Sequence, residues 1–277
     1  MKKTKRYIVG IWLATIFLAI IILFPVFWIF TSSITEKEQL FTTPVSYFPK
    51  VPTIQNYIDL FQTVDVGGLA GNTLIVAVFS IIGTIFISLL AAYSFSRFKF
   101  KGAQLMYSLL VFSAMLPVVT TLIPIFQTYQ TLGLHDSPLG LIILYISSFI
   151  PFTTMTFVTF IKQIPYALEE AAAVDGASVP TIVFKILFPL MRPAIATMAI
   201  INFINAMNEF LIPLVFTNIK ATPLSVGLTL IPRVNQYNVP WEKISALSTI
   251  MLIPIIIFIV LFEKNIIDGL TAGSVKQ

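Results

Sequence analysis

The sequence contains no cysteine and only one histidine, His135, among 277 residues. That excludes disulfides, cysteine nucleophiles and metal sites built on cysteine or histidine clusters. Charge is nearly as scarce: Asp, Glu, Lys and Arg make up 10% of the chain, where a soluble domain carries about 25%. So sparse a set cannot clothe a water-facing surface. No glycine is followed by lysine, so a G-x-x-x-x-G-K-[ST] phosphate loop is impossible. Any nucleotide energy must come from a partner. There is also no internal repeat, no low-complexity tract and no segment that reads as a soluble domain.

What is present is apolar surface. Hydrophobic residues make up 57% of the chain and the mean hydropathy is +0.93. This predicts an all-α, polytopic membrane protein whose medium is the lipid bilayer. The net charge of +5 then reflects where basic residues sit relative to that bilayer, and no nucleic-acid partner is implied.

A helix needs about 20 apolar residues to cross the hydrocarbon core. Charge-free stretches place six such helices near 8–30, 72–94, 105–127, 139–161, 194–216 and 244–262, within one transmembrane domain covering 1–277. The basic start followed by a long apolar run is expected to be an uncleaved first span, since the run exceeds a signal-peptide core and no small-residue cleavage site follows. Twelve Lys and Arg residues fall on the side of the N-terminus, the 94–104 and 162–193 loops and the tail, against five on the other side. The positive-inside bias therefore puts both termini in the cytoplasm. The outside segment 31–71, with Pro44, Pro49, Pro52 and the flexible "GGLAG" of 67–71, is expected to lie on the membrane rim. A second outside loop is expected at roughly 217–243.

Between the fourth and fifth spans the apolar text is interrupted. Pro165 suits a first helical turn, and "YALEEAAAV" (166–174) is rich in helix formers. Asp175-Gly176 should end that helix, because glycine readily takes the left-handed conformation at a C-cap. Ser178 and Pro180 then suit the start of a second helix, on which Val179, Ile182, Ile186 and Leu190 form an apolar stripe. The predicted unit is helix, sharp turn, helix at the cytoplasmic surface. Its first helix combines small alanines with Glu170 and Asp175, a composition suited to a groove lined by a partner's arginines. A helix merely resting on lipid would carry Lys or Arg beside the headgroups, and this one carries none.

Glu170-Ala171-Ala172, then Asp175-Gly176-Ala177, then Ile186, Pro189 and Pro193, resembles the EAA loop (165–193) of ABC importer permeases. Phe188 stands where that pattern usually has leucine. "FTTPVSYFPKVPTIQNYIDLF" (41–61), "AAYSFSRFKFKG" (91–102), "NEFLIPLVF" (208–216) and "GLTAGSVKQ" (269–277) are similar to the maltose-type carbohydrate branch, and within it to the shorter six-helix subunit. The resemblance implies a bacterial or archaeal cell-membrane complex. Its partners would be a second, different permease, two cytoplasmic ATPases and an extracytoplasmic solute-binding protein, and its substrate a sugar. It implies that Glu170, Ala171, Ala172, Asp175, Gly176 and Ala177 belong to a coupling helix docking into an ATPase cleft. It also implies that the tail reaches the ATPases and that the 217–243 loop meets the binding protein. The chain would be no enzyme and hold no cofactor; ATP and Mg would be bound by the partner ATPases.

In the fifth span Asn202, Asn205, Asn208 and Glu209 fall within an arc of about 120°, which makes one face polar. They would either line the translocation path or fix helix packing against the partner permease. Two other functions fit parts of the sequence: an ABC permease for a different solute, and a proton-coupled secondary transporter using Glu209. The latter class usually shows inverted repeats, and it leaves 170–193 unexplained. A membrane scaffold recruiting a cytoplasmic protein through the same loop is a further reading.

Overall fold

The computed structural model describes residues 5–233 and 238–272, with side chains for 9–233 and 238–262. Among the described residues there is no strand, and the chain is a succession of helices. Four are long and apolar enough to cross a membrane: α1 (Lys5–Ser33), α4 (Val66–Arg97), α7 (Pro138–Gln163) and the last, α13 (Trp241–Ala272). Two more crossings result if each of two bent pairs is one span. The first pair is α5 (Ala103–Ser113) with α6 (Val118–Leu132), bent by 100°. The second is α9 (Val179–Leu190) with α10 (Arg192–Asn208), bent by 77°.

The third span, expected over 105–127 with kinks at Pro117 and Pro124, is bent sharply at the first of them. Pro117 has no N–H to continue the ladder and sits in extended backbone at the start of α6. The fifth span stops at Asn208, then restarts as α11 (Leu211–Phe216). The "GGLAG" stretch, expected to be flexible, is helical as the first turns of α4. At a membrane rim an unpaired backbone group costs more than the glycine entropy, so helix wins.

The described residues fall into two compact units. In the first, built from residues up to Gly67 and Gly227–Ile253, helix α3 (Gln55–Thr63) is tied to the end of α1. Buried Asn56 donates through Nδ2 to the Ser33 and Thr35 carbonyls at 2.9 and 2.8 Å, and the Tyr57 and Ser33 hydroxyls meet at 2.7 Å. The rim segment is thus fastened by specific polar contacts to a helix end whose last carbonyls lack helical partners.

The second unit, Gly68–Val226 with Pro254 onward, is organised on the α4–α7 pair. Helix α4 turns Ala77, Ser80, Thr84, Ser88 and Ala92, all fully buried, inward. At Gly83 an added Cβ would strike the Ile146 side chain, so glycine lets the two helices lie close. Helix α7 starts on a full cap: Ser137 Oγ accepts from the Gly140 N–H at 2.9 Å, with Pro138 in the first turn. A Cβ on Gly140 would fall on the Leu134 carbonyl oxygen. Gly140→Ala is therefore expected to lower stability by about 1–3 kcal/mol through overpacking against backbone. A drop in the detergent-solubilised Tm would register it, and an unchanged Tm would mean the turn can yield.

Candidate functional site

The interruption after α7 folds as helix α8 (Ala167–Val174), a turn, and α9. Its C-terminus is a complete Schellman motif: the Gly176 N–H donates to the Ala173 carbonyl at 3.0 Å and the Ala177 N–H to the Ala172 carbonyl at 2.9 Å. Gly176 has φ +81° with open space around it, so the left-handed backbone alone demands glycine there. Ser178 stands at the N-cap of α9 with Pro180 in the first turn, but its hydroxyl bonds the Thr181 hydroxyl at 3.0 Å and no backbone N–H. The middle of α9, Ile182–Leu187, is a π-helix, and Pro189 and Pro193 follow it.

Burial divides α8 into two faces. Ala172 and Ala177 are half-buried against a core of Leu89, Phe157, Ile161, Val183 and Leu187. Glu170, Ala171, Ala173, Val174, Asp175 and Gly176 are exposed, Val174 at 88%. An apolar side chain so bare on a short, firmly capped helix marks a contact surface.

Glu169 faces inward, and this is the feature that charge counting missed. It is 3% exposed and accepts from Arg97 Nε at 2.7 Å; Arg97, the last residue of α4, is itself 10% exposed. Arg97 Nη2 donates to the Ile161 and Ile164 carbonyls at 3.0 and 2.9 Å, and its guanidinium lies 5.4 Å from the Tyr166 ring centroid. One planar fork thus joins the end of α4, the last carbonyls of α7 and the first turn of α8. A lysine has no such fork. The available signal was helical spacing: Glu169 shares a face with Ala172, one turn on, and so must point to the same core.

The polar residues of α10 do not act as one face. Asn202 is buried and donates to Thr153 Oγ1 on α7 at 3.1 Å, a helix-to-helix contact. Asn205 is exposed, and Asn208 is exposed and returns its amide to the Ile204 carbonyl at 2.9 Å. Glu209 occupies the break before α11, where its carboxylate accepts from the Leu211 and Ile212 N–H groups at 3.0 and 3.1 Å. It therefore caps the restart of a helix, and a negative charge is favoured at that end. Its own carbonyl accepts from Ser225 Oγ at 2.6 Å. Between α5, α6, α7 and α11 lies a cavity of about 320 Å³ that includes Ser147 and Ser148. The hydroxyls of Ser113, Thr121 and Ser147 there are all bonded to backbone carbonyls of their own helices.

At the other end of α7, the expected open loop is partly folded in. Residues 221–226 are buried, and α12 (Leu224–Leu230) follows. Asn72 Nδ2 donates to the Lys220 and Thr222 carbonyls, and Thr73 Oγ1 accepts from the Leu224 N–H. Asp136, a residue the sequence did not single out, accepts from the backbone N–H groups of Asn218, Ile219, Lys220 and Ala221 at 3.0–3.2 Å. Burial pushes its carboxyl up, but those four N–H donors outweigh burial and hold it below the ordinary carboxylate range. Residues 234–237 of this loop, and 273–277 of the tail, lie outside the described residues.

The chain is similar to known proteins over most of its length. Residues 83–270 match the family described as binding-protein-dependent transport system inner membrane component. The chain is 36% identical over 92% of its length to the sulfoquinovosyl glycerol transport system permease protein SmoH of Agrobacterium fabrum, covering 89% of it. It is 33% identical, over 95% of each chain, to the trehalose/maltose transport system permease protein MalG of Thermococcus litoralis. In fold it matches a chain in a crystal structure of a bacterial ABC transporter involved in import of the acidic polysaccharide alginate. The TM-score is 0.80 at 23% identity, over 95% of this chain and 98% of that one.

Proposed function

This chain belongs to the family of binding-protein-dependent transport system inner membrane components, a family of multi-pass membrane subunits, and from that premise we propose that it is a permease subunit of an ATP-driven sugar or oligosaccharide importer. The observation that carries the coupling role is the braced, capped and exposed α8–Gly176 unit: Glu170, Ala171, Asp175 and Gly176 face away from their own chain, while Arg97 and Glu169 hold the unit's back. Ala172 and Ala177 pack it down. Two cytoplasmic ATPases bind ATP and Mg, and one of them receives this helix. Closure of the ATPases pushes α8 and shifts the permease between inward- and outward-facing states. Both termini are cytoplasmic; a solute-binding protein delivers the sugar from the other side, and a second, different permease completes the pathway. The named substrates of the two relatives support sugar as the cargo. Glu209 is committed to capping α11, which leaves proton coupling through it without support.

The experiment is affinity purification of the detergent-solubilised complex from its native host, comparing the natural chain with Glu170→Ala plus Gly176→Pro. The natural chain is expected to bring down an ATPase, a second permease and a binding protein. The variant should lose the ATPase. Because Gly176→Pro also breaks the left-handed cap, Glu170→Ala plus Asp175→Ala, which leaves that backbone intact, should lose it while keeping the natural Tm. A natural chain that purifies alone and still drives uptake would overturn the reading.

A further inference from the structure

Within the first unit, the outer end of α1 and the start of α13 enclose a cavity of about 400 Å³ lined by Trp28, Ser32, Phe41, Trp241, Ser245 and Ser248, among others. Its size is that of a small-ligand site. Three features bear on what it could hold. First, two indoles line it. Tryptophans at this depth also fit an interfacial aromatic belt, but that role needs no hydroxyls. Second, Ser32 and Ser245 are 5% and 8% exposed, yet among the described residues neither hydroxyl, nor that of Ser248, has a hydrogen-bond partner. On the same two helices Thr31 and Thr249 instead turn their hydroxyls back to carbonyls three or four residues away. All three hydroxyls therefore keep their donor and acceptor capacity free toward the cavity. Third, no charged side chain lines the cavity.

From these features we infer that the cavity binds a neutral glycosyl group. Serine hydroxyls both donate and accept, which matches a sugar's ring of hydroxyls. Indole faces suit the C–H faces of the ring, and the indole N–H groups add two donors. An anionic or cationic headgroup would find no counter-charge. The same chemistry has two sources: a free sugar in transit, in which case the inference rests on the function proposed above, or the headgroup of a neutral glycolipid.

The test uses the purified complete complex in nanodiscs, made with and without digalactosyl diacylglycerol. The variants are Trp241→Ala, Trp241→Phe and Ser245→Ala plus Ser248→Ala. A panel of radiolabelled neutral oligosaccharides first finds the sugar imported by the natural complex. Trp241→Ala and the double serine variant are expected to raise its KM about tenfold, the loss of roughly one or two good contacts, and Trp241→Phe to restore most of it. An unchanged KM together with lost stimulation by the glycolipid assigns the cavity to the headgroup. Natural KM and natural lipid response in both variants overturn the inference. If the natural complex imports no sugar of the panel, the proposed cargo fails, and the glycolipid arm alone decides the cavity.

Discussion

Arg97→Ala is expected to detach helix α8 from the rest of the chain and, on the function proposed above, to abolish ATP-driven uptake. The substitution removes the guanidinium donors that join α4, the α7 terminus and α8. It also leaves Glu169, 3% exposed, as a buried carboxylate without a counter-charge. Breaking a buried pair in this way costs about 3–5 kcal/mol. At roughly 1.4 kcal/mol per factor of ten, the docked-to-undocked ratio of α8 falls about a hundredfold or more. Arg97→Lys keeps the charge but reaches one partner at a time, and should recover only part of the activity. Arg97→Met with Glu169→Leu removes both charges; it should restore Tm, because a buried pair replaced by apolar residues is often neutral or stabilising. The measurements are Tm, limited proteolysis at the 174–178 turn and uptake in proteoliposomes. Natural uptake and natural proteolysis in Arg97→Ala would show that the packing of Ala172 and Ala177 suffices alone.

The second large effect is expected at Asp136. Its carboxylate organises four consecutive backbone N–H groups of residues 218–221, and the residue itself is held at φ +51°. Hydrogen bonds to a charged group contribute about 1.5–3 kcal/mol each when well made, and partial exposure reduces that. Asp136→Ala is therefore expected to loosen 218–221 by about 2 kcal/mol or more. Hydrogen exchange of those four amides, compared at one pH, should accelerate at least tenfold. The pH dependence follows from the lowered carboxyl. The folded form binds the ionised side chain, so the stabilisation is complete above the ordinary value of 3.8. It is lost as pH falls through the depressed one. Asp136→Asn should abolish that dependence. Equal exchange in all three proteins would mean that Asn72 and Thr73 alone hold the loop.

These two anchors also mark where sequence reasoning stopped. The long apolar helices were legible because charge is excluded from them for a simple energetic reason, and each lies close to its charge-free stretch. The end of α8 was legible because only glycine adopts the Gly176 backbone cheaply. Arg97 counts in the sequence as one more cytoplasmic base, and Glu169 is not singled out there at all. The pair spans 72 positions, and nothing local announces it. Asp136 was hidden for the same reason, since its partners are backbone groups some 82–85 positions away. The kink at Pro117 was legible from the proline itself, but the break at Glu209 was not: hydropathy reports whether a segment prefers lipid, not whether its helix is continuous.

The close fit of α4 on α7 has a mechanical consequence. Helix α7 has 26 residues and so is about 40 Å long, with the Arg97 brace at one end and the Asp136 clamp just beyond the other. Gly83 sits near the middle of the contact, against Ile146, with long bonds from Ser80 and Ser88 to the Ile142 and Ile150 carbonyls on either side. With α4 tied to the end of α7 through Arg97 and to residues 220–224 through Asn72 and Thr73, the two helices would move as one body. A tilt of about 5° about its middle carries each tip roughly 2 Å in opposite directions, given that length. On the function proposed above, force applied at α8 would then arrive as displacement of residues 218–221 at the far end.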